Sequence, residues 1–142
     1  PGINDTTTAV MCVDHLTAIL ARFAPRPIPS SFRYEEGELK VMTIGPTFAS
    51  LLTESFDQIR SNAKDNLVII LRMLDAFQTL SSLTTNPNHR QTLREQVRLI
   101  VGLAERTVES AHDHARIDTR LTRVRETLEA EPALCAGEEK TN

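Results

Sequence analysis

Residues 67–83 read LVIILRMLDAFQTLSSL, and the opening turns of this stretch are apolar in nearly every direction. Asp65-Asn66 stands just before it as a helix-start signal, so the pattern predicts a helix from Leu67 to about Leu83 that is covered on all sides. Such a helix needs other helices around it, and both flanks supply them. On the N-terminal side Phe48, Leu52, Phe56 and Ile59 fall on one stripe, with Glu54, Asp57 and Gln58 largely away from it. This predicts a helix that starts at Gly45-Pro46-Thr47 and ends near Asn62. On the C-terminal side Asn86-Pro87 joins a capping residue to a proline at the first helical position. The helix it opens carries Leu93, Val97, Ile100, Val101, Ala104 and Val108 on one face.

Further out, Ala9, Val13, Leu16, Leu20 and Phe23 recur at spacings of three and four. They predict a first helix from about Thr6 to Ala24, with Asp5 as N-cap and Pro25 closing the far end. Cys12 and Ile19 widen its apolar face, which places this helix at the centre of the fold. Residues 25–31 hold three prolines and form a stiff connector. Phe32 and Tyr34 then alternate with polar residues, Gly37 offers a turn, and Leu39, Val41 and Met42 follow, so a short β-hairpin is expected at about 32–43, outside the main core. Beyond the fourth helix the pattern weakens between Ser110 and His114. Ile117, Leu121, Val124 and Leu128 then make a narrow stripe, either a fifth helix or a bent continuation of the fourth. A stripe so narrow either covers the bundle or pairs with another chain. Pro132 and the polar residues after it predict a disordered tail over 131–142.

The expected fold class is therefore all-α: a bundle of four to five helices with a short β-hairpin inserted between the first and second, in one domain over residues 1–130. A chain of 142 residues is the size of one such domain. Hydrophobic residues at 40% and charged residues at 25% are enough for a packed core. The longest clearly apolar run, Leu67 to Leu71, is far short of the ~20 residues that cross a bilayer. Pro1 leads at once into patterned sequence, which suggests a chain cut from something longer. A net charge of −3 argues against nucleic acid as a partner, since that grip needs clustered positive charge. Cys12 and Cys135 form no CxxC pair, imply neither a disulfide framework nor a zinc site, and fit a reducing compartment.

No nucleophile elbow, cysteine–histidine signature or phosphate-cradling glycine loop can be drawn, so no catalytic residues and no cofactor are expected. His112-Asp113-His114 with Asp118 is the best metal candidate. On a helix, positions two apart point ~200° from one another, so exposed histidines are the better reading and no metal site is expected. Asp14 and His15 diverge by ~100° on a helix and lack a third group, so they read as an outer-face pair rather than an acid/base couple.

Gly2-Ile3-Asn4-Asp5 followed by Thr8-Ala9, then Phe56-Asp57-Gln58-Ile59-Arg60, then Leu93-Arg94-Glu95-Gln96, closely resemble a bacterial family of predicted membrane proteins known only as domain of unknown function 2254. The resemblance runs from Pro1 to about Leu128. In that family the Gly-Ile-Asn-Asp segment follows transmembrane helices and a linking region, and its Asp is usually followed by Pro where Thr6 stands here. The resemblance implies the soluble C-terminal portion of an integral protein of the bacterial inner membrane, with the transmembrane region of the same protein as its partner; the arginine content and the unpaired thiols make the cytoplasm the expected side. It brings no activity.

Three functions follow, in order of preference. The first is a non-enzymatic domain for assembly, regulation or interaction, with homo-oligomerisation as one form of it. The second is small-solute sensing or transport-linked ligand binding, with Asn4, Asp5, Thr8 and Arg60 lining a polar pocket. The third is an enzyme of unfamiliar type. Arg60 sits beside Ile59 at the edge of a buried stripe, so it is also expected to clamp the incoming chain by hydrogen-bonding to Asp5 or to the carbonyls of residues 2–4. The competing account is an i,i+3 pair with Asp57.

Overall fold

The structure, a computed structural model, describes residues 5–26, 32–35, 38–42 and 45–130, with the backbone alone for the two short middle stretches. Asn4, Cys135 and the expected tail lie outside the described residues. Five helices form: α1 (Thr6–Phe23), α2 (Phe48–Asn62), α3 (Leu67–Leu83), α4 (Pro87–Thr107) and α5 (Ala111–Glu129). Each starts at a side chain that accepts the free N–H groups of the first turn, as helix starts require. Asp5, Thr47, Asn66, Asn86 and Ser110 are those caps. At Thr47 the hydroxyl accepts from the Ser50 N–H while the Ser50 hydroxyl accepts from the Thr47 N–H, a reciprocal box with serine at N3. Between α2 and α3 the chain turns through Asp65 at φ 60°, a left-handed position that aspartate tolerates better than most residues.

Three contacts fix the directions of the helices. Asn66 at the start of α3 donates to the Thr6 hydroxyl at the start of α1, over 2.7 Å. His89 near the start of α4 sits 3.2 Å from the carbonyl of Ala24 at the end of α1. Arg90 donates to the carbonyl of Thr127 near the end of α5, over 2.8 Å. So α1, α3 and α5 run one way and α4 runs back, and Phe48 at the start of α2 stacks on His89 near the start of α4, which sets α2 along α4.

Helix α3 is the hub. It packs against α1, α4 and α5, and nine of its residues are buried, among them Ile70, Met73, Leu74, Phe77 and Leu80. Phe56 of α2 meets Phe77 edge-on at 5.1 Å. Of the residues expected in the core, Val13, Leu20, Leu52, Phe56, Ile70, Leu74, Phe77, Val97, Ile100 and Ala104 are buried, and Leu16, Ile59 and Val101 are half-buried against them.

The expectations need three corrections. First, the expected class, a bundle with an inserted β-hairpin, becomes a five-helix bundle: every residue of the described core lies on a helix or in a helix junction, and no strand takes part in the packing described. Between α1 and α2 the backbone makes two short extended stretches, β1 (Phe32–Glu35) and β2 (Glu38–Met42). They pair antiparallel with each other, with a register break between Arg33 and Tyr34. Second, the centre is α3, not α1. Within α1 only Val13 and Leu20 are buried, while Cys12, Met11, Ile19 and Phe23 are exposed. Periodicity reports that a face is apolar, and it does not report how wide a neighbour covers it. Third, α3 is not covered on all sides, since Val68 in its first turn is exposed. Helix α5 is separate from α4: Val108 is extended, Ser110 caps the new helix, and His114 Nε2 lies 2.7 Å from the Val108 carbonyl. Its stripe of Ile117, Leu121, Val124 and Leu128 is buried in the bundle, chiefly on α3.

Candidate functional site

The residues singled out in the sequence fall in two places. Asp5 Oδ1 accepts from the N–H groups of Thr7 and Thr8 at 3.0 and 3.3 Å, and the Thr8 hydroxyl donates to Oδ2. The Thr8 hydroxyl above all, then the backbone donors, hold this carboxyl below its ordinary range. Arg60 lies elsewhere. Its Nη2 is 2.7 Å from Asp57 Oδ1 and its Nη1 donates weakly to Gln96 Oε1 at 3.5 Å. Asp57 Oδ1 is occluded and makes no aligned hydrogen bond, so the Asp57–Arg60 contact is a charge pair. The structure thus brings Arg60 to Asp57 and towards α4, while the described partners of Asp5 are its own first turn. Asn4 and the carbonyls of residues 2–4 lie outside the described residues.

Two features escaped the sequence reading. The tie between the start of α1 and the bundle is Asn66, whose Nδ2 reaches Thr6 while its Oδ1 caps α3 by accepting from Ile69 N–H at 3.3 Å. Asn66 was legible as a cap, but its second hydrogen bond is tertiary and leaves no periodic trace. The other is the meeting of two recognisable segments, Phe56–Arg60 and Leu93–Gln96. Gln96 is buried, accepts from Arg60, and donates to the Thr53 hydroxyl at 3.3 Å, which makes a polar seam between α2 and α4. Polar groups buried this way fix the register of two helices more than they add stability.

Elsewhere several charged groups are engaged with one another. Asp14 takes a bidentate pair from Arg72, Nε to Oδ1 at 2.5 Å and Nη2 to Oδ2 at 2.7 Å, which holds its carboxyl low. His15, beside it, has Nδ1 at 2.7 Å from the Met11 carbonyl. Asp75 pairs with Arg120 at 2.8 Å. His112 is exposed, Asp113 faces Arg116 at 3.8 Å, and among the described residues no three potential metal ligands gather. A groove of about 240 Å³ between α4 and α5 is lined by Arg94, Arg98 and Arg125. Arg94 donates to the Leu128 carbonyl and Arg98 is paired with Glu95, so two of these three guanidinium groups are already engaged.

Among the described residues one edge of α1 carries exposed apolar side chains in a row. Cys12, Leu16, Ile19 and Phe23 follow one another on one side of the helix, and Ile19 and Phe23 are 55% and 41% exposed. The stripe borders a groove of about 340 Å³ between α1 and α2, whose walls include Cys12, Leu16, Glu54, Gln58 and Ile59. The outer side of α1 carries exposed His15 and Arg22, and the α2 wall of the groove carries exposed Glu54. Scattered exposed apolar residues are ordinary, but a row at helical spacing beside a groove is the form of a surface that another helix can cover.

Fold and surface together define a helical-bundle domain with an uncovered amphipathic edge. Among the described residues no helix is long and apolar enough to cross a membrane. The chain belongs to the DUF2254 family of predicted membrane proteins, whose model matches residues 1–79. It is 28% identical over 130 residues to uncharacterized proteins of Mycobacterium bovis and of two strains of Mycobacterium tuberculosis. The match takes in 91% of this chain and 25% of each relative, so the chain spans about a quarter of the length of the curated relatives it matches. No solved structure matches it.

Proposed function

We propose that this chain is a non-catalytic interaction domain of a bacterial integral membrane protein, acting in assembly or regulation from the cytoplasmic side. The observation that carries this reading is the edge of α1 beside the α1–α2 groove, where Cys12, Ile19 and Phe23 are exposed around a half-buried Leu16. A bundle with α3 already well buried has no internal need for a further apolar row, and leaving it in water costs solvation that a partner would recover. The family description supports the membrane setting. A polar ligand pocket has no comparable support, because Asp5 and Thr8 are engaged in capping and Arg60 with Asp57 and Gln96.

The test is a photo-reactive residue placed at Ile19 in the full reading frame, in native membranes, with Thr122 on the outer side of α5 as control. Protein adducts from position 19 and none from 122 are expected; silence at 19, or equal adducts from both, would remove the interaction reading. The side of the membrane is read separately from Cys12. A membrane-impermeant maleimide should label it only after permeabilisation, and labelling in intact cells would place the domain outside.

A further inference from the structure

A second cleft, shared by α1, α3 and α5, lies on the other side of α1 from the edge described above, since Val10 and Cys12 point about 200° apart around the helix. It measures about 270 Å³, and its lining is of two kinds. Val10 of α1, with Val68 and Leu71 from the first two turns of α3, makes an apolar wall, where Val68 is 54% exposed. Arg116 and Arg120, one turn apart on α5, make a basic rim, and Arg72 and Asp75 of α3 complete the lining.

The donors of that rim are only partly used. Arg72 gives Nε and Nη2 to Asp14, and Arg120 gives Nε to Asp75 at 2.8 Å. Among the described residues the two Nη groups of Arg120 make no hydrogen bond, and Arg116 has only the Asp113 carboxylate at 3.8 Å, too long for one. Three guanidinium groups and one carboxylate thus line this cleft in a chain whose net charge is −3, and the one carboxylate is offset by Arg120.

We propose that this cleft binds an aliphatic carboxylate, its chain on Val10, Val68 and Leu71 and its head on Arg116 and the Nη groups of Arg120. An apolar wall with a few placed polar groups is the form of a small-molecule site, and a guanidinium fork matches a carboxylate. From Val68 to Asp75 the cleft runs about 10 Å along α3, the length of a chain of about eight carbons. A peptide would bring backbone groups that the apolar wall leaves unpaired. The site is small and open, so the Kd belongs on the order of 1 mM. It goes beyond the interaction reading and shares no residue with the edge that carries that reading.

The experiment is a ¹H–¹⁵N titration of the 142-residue chain with sodium octanoate up to about 20 mM. Saturable shifts are expected at the amides of Val10, Val68 and Leu71 and at the Nε–H groups of Arg116 and Arg120. Butyrate, which keeps the head, and 1-octanol, which keeps the chain, should each bind about fivefold more weakly or worse. Arg116→Gln and Val68→Ser should each weaken octanoate about fivefold or more, whereas Arg125→Gln, on the opposite side of α5, should not. Positions 116 and 68 are half in water, so both variants should keep native circular dichroism and melting.

No saturable shift up to about 20 mM overturns the proposal. So does 1-octanol binding as tightly as octanoate, or saturable shifts gathered at Cys12, Leu16 and Ile19 in place of the cleft. Phosphatidylglycerol vesicles that broaden the cleft amides in an Arg116-dependent way, where octanoate does nothing, would assign the rim to a bilayer headgroup and overturn it as well. Each of these outcomes leaves the adducts expected from position 19, and so the interaction reading, to stand or fall separately.

Discussion

Asn66 and Arg60 show what a single side chain in this molecule does and how much of it can be read ahead of the fold. Asn66 joins two helix starts with one amide: its oxygen caps α3 and its nitrogen holds Thr6. Replacing it with Ala removes a cap and a tertiary hydrogen bond together, so Asn66→Ala should cost about 1 to 2 kcal/mol in urea unfolding. Arg60→Ala loses a charge pair whose Asp57 member is half-exposed, together with a long contact to Gln96, and should cost about 0.5 to 1 kcal/mol. The reverse order of the two losses would return the clamp to Arg60. The cap was legible because Asn before an apolar run has a local physical reason. The choice between Asp5 and Asp57 as partner of Arg60 was not, because it depends on which side of α2 faces α1, and a stripe on one helix does not say which neighbour stands beside its edge.

At the scale of elements, four starts were legible at Asp5, Thr47, Asn66 and Asn86, and the stripes of α2, α4 and α5 named buried residues apart from the half-buried Ile59, Val101 and Val108. Two things were not legible. One is the rank of the helices: α1 and α3 are both apolar, but α1 packs chiefly on α3 and α2, whereas α3 packs on α1, α4 and α5. The other is the end of α5, where the last carbonyls are satisfied from α4. Arg90 Nη2 donates to the carbonyls of Thr127 and Ala130, each at 2.8 Å, and Arg94 donates to that of Leu128 at 2.9 Å. A signal existed, since Arg90 precedes Leu93 by three residues and so extends the buried stripe of α4 towards its start. A guanidinium at that place meets the negative end of α5 and supplies donors that no glycine cap provides. Arg90 is itself buried, with its Nη1 on the Thr84 carbonyl at 3.2 Å. Arg90→Ala should therefore destabilise by about 2 to 4 kcal/mol and speed amide exchange in the last turn of α5, with Arg90→Lys recovering only part. Unchanged exchange in that turn would mean that the arginine fills space and does not cap.

Across the whole molecule the helices alternate in direction around α3, and five ion pairs among the described residues lie between or along them. Three carboxyls carry a definite acid sensitivity. Asp5 is held low by the Thr8 hydroxyl and the N–H groups of its turn, Asp14 by Arg72, and Glu95 by Arg98. Each folded-state value is depressed below that of the unfolded chain, about 3.9 for Asp and 4.3 for Glu. Between the two values the unfolded state binds more protons, so the unfolding free energy rises with pH in that window. The contribution is fully present above about pH 5 and is lost as pH falls through the folded values, below about 4. The arginine partners Arg72 and Arg98 are shifted upward, so their effect lies in strong alkali and does not touch this window. Urea midpoints should thus be flat from about pH 7 to 5 and fall steadily below 4. The causes separate with salt. The Asp14–Arg72 and Glu95–Arg98 pairs are exposed, so 1 M NaCl should flatten their share, whereas the Asp5 share comes from hydrogen bonds of the helix start and should persist. Asp14→Asn should lower the acid slope in low salt and make little difference in high salt, and Asp5→Asn should lower it in both. An acid slope that vanishes wholly in salt would assign the effect to surface pairs alone and strip Asp5 of its part.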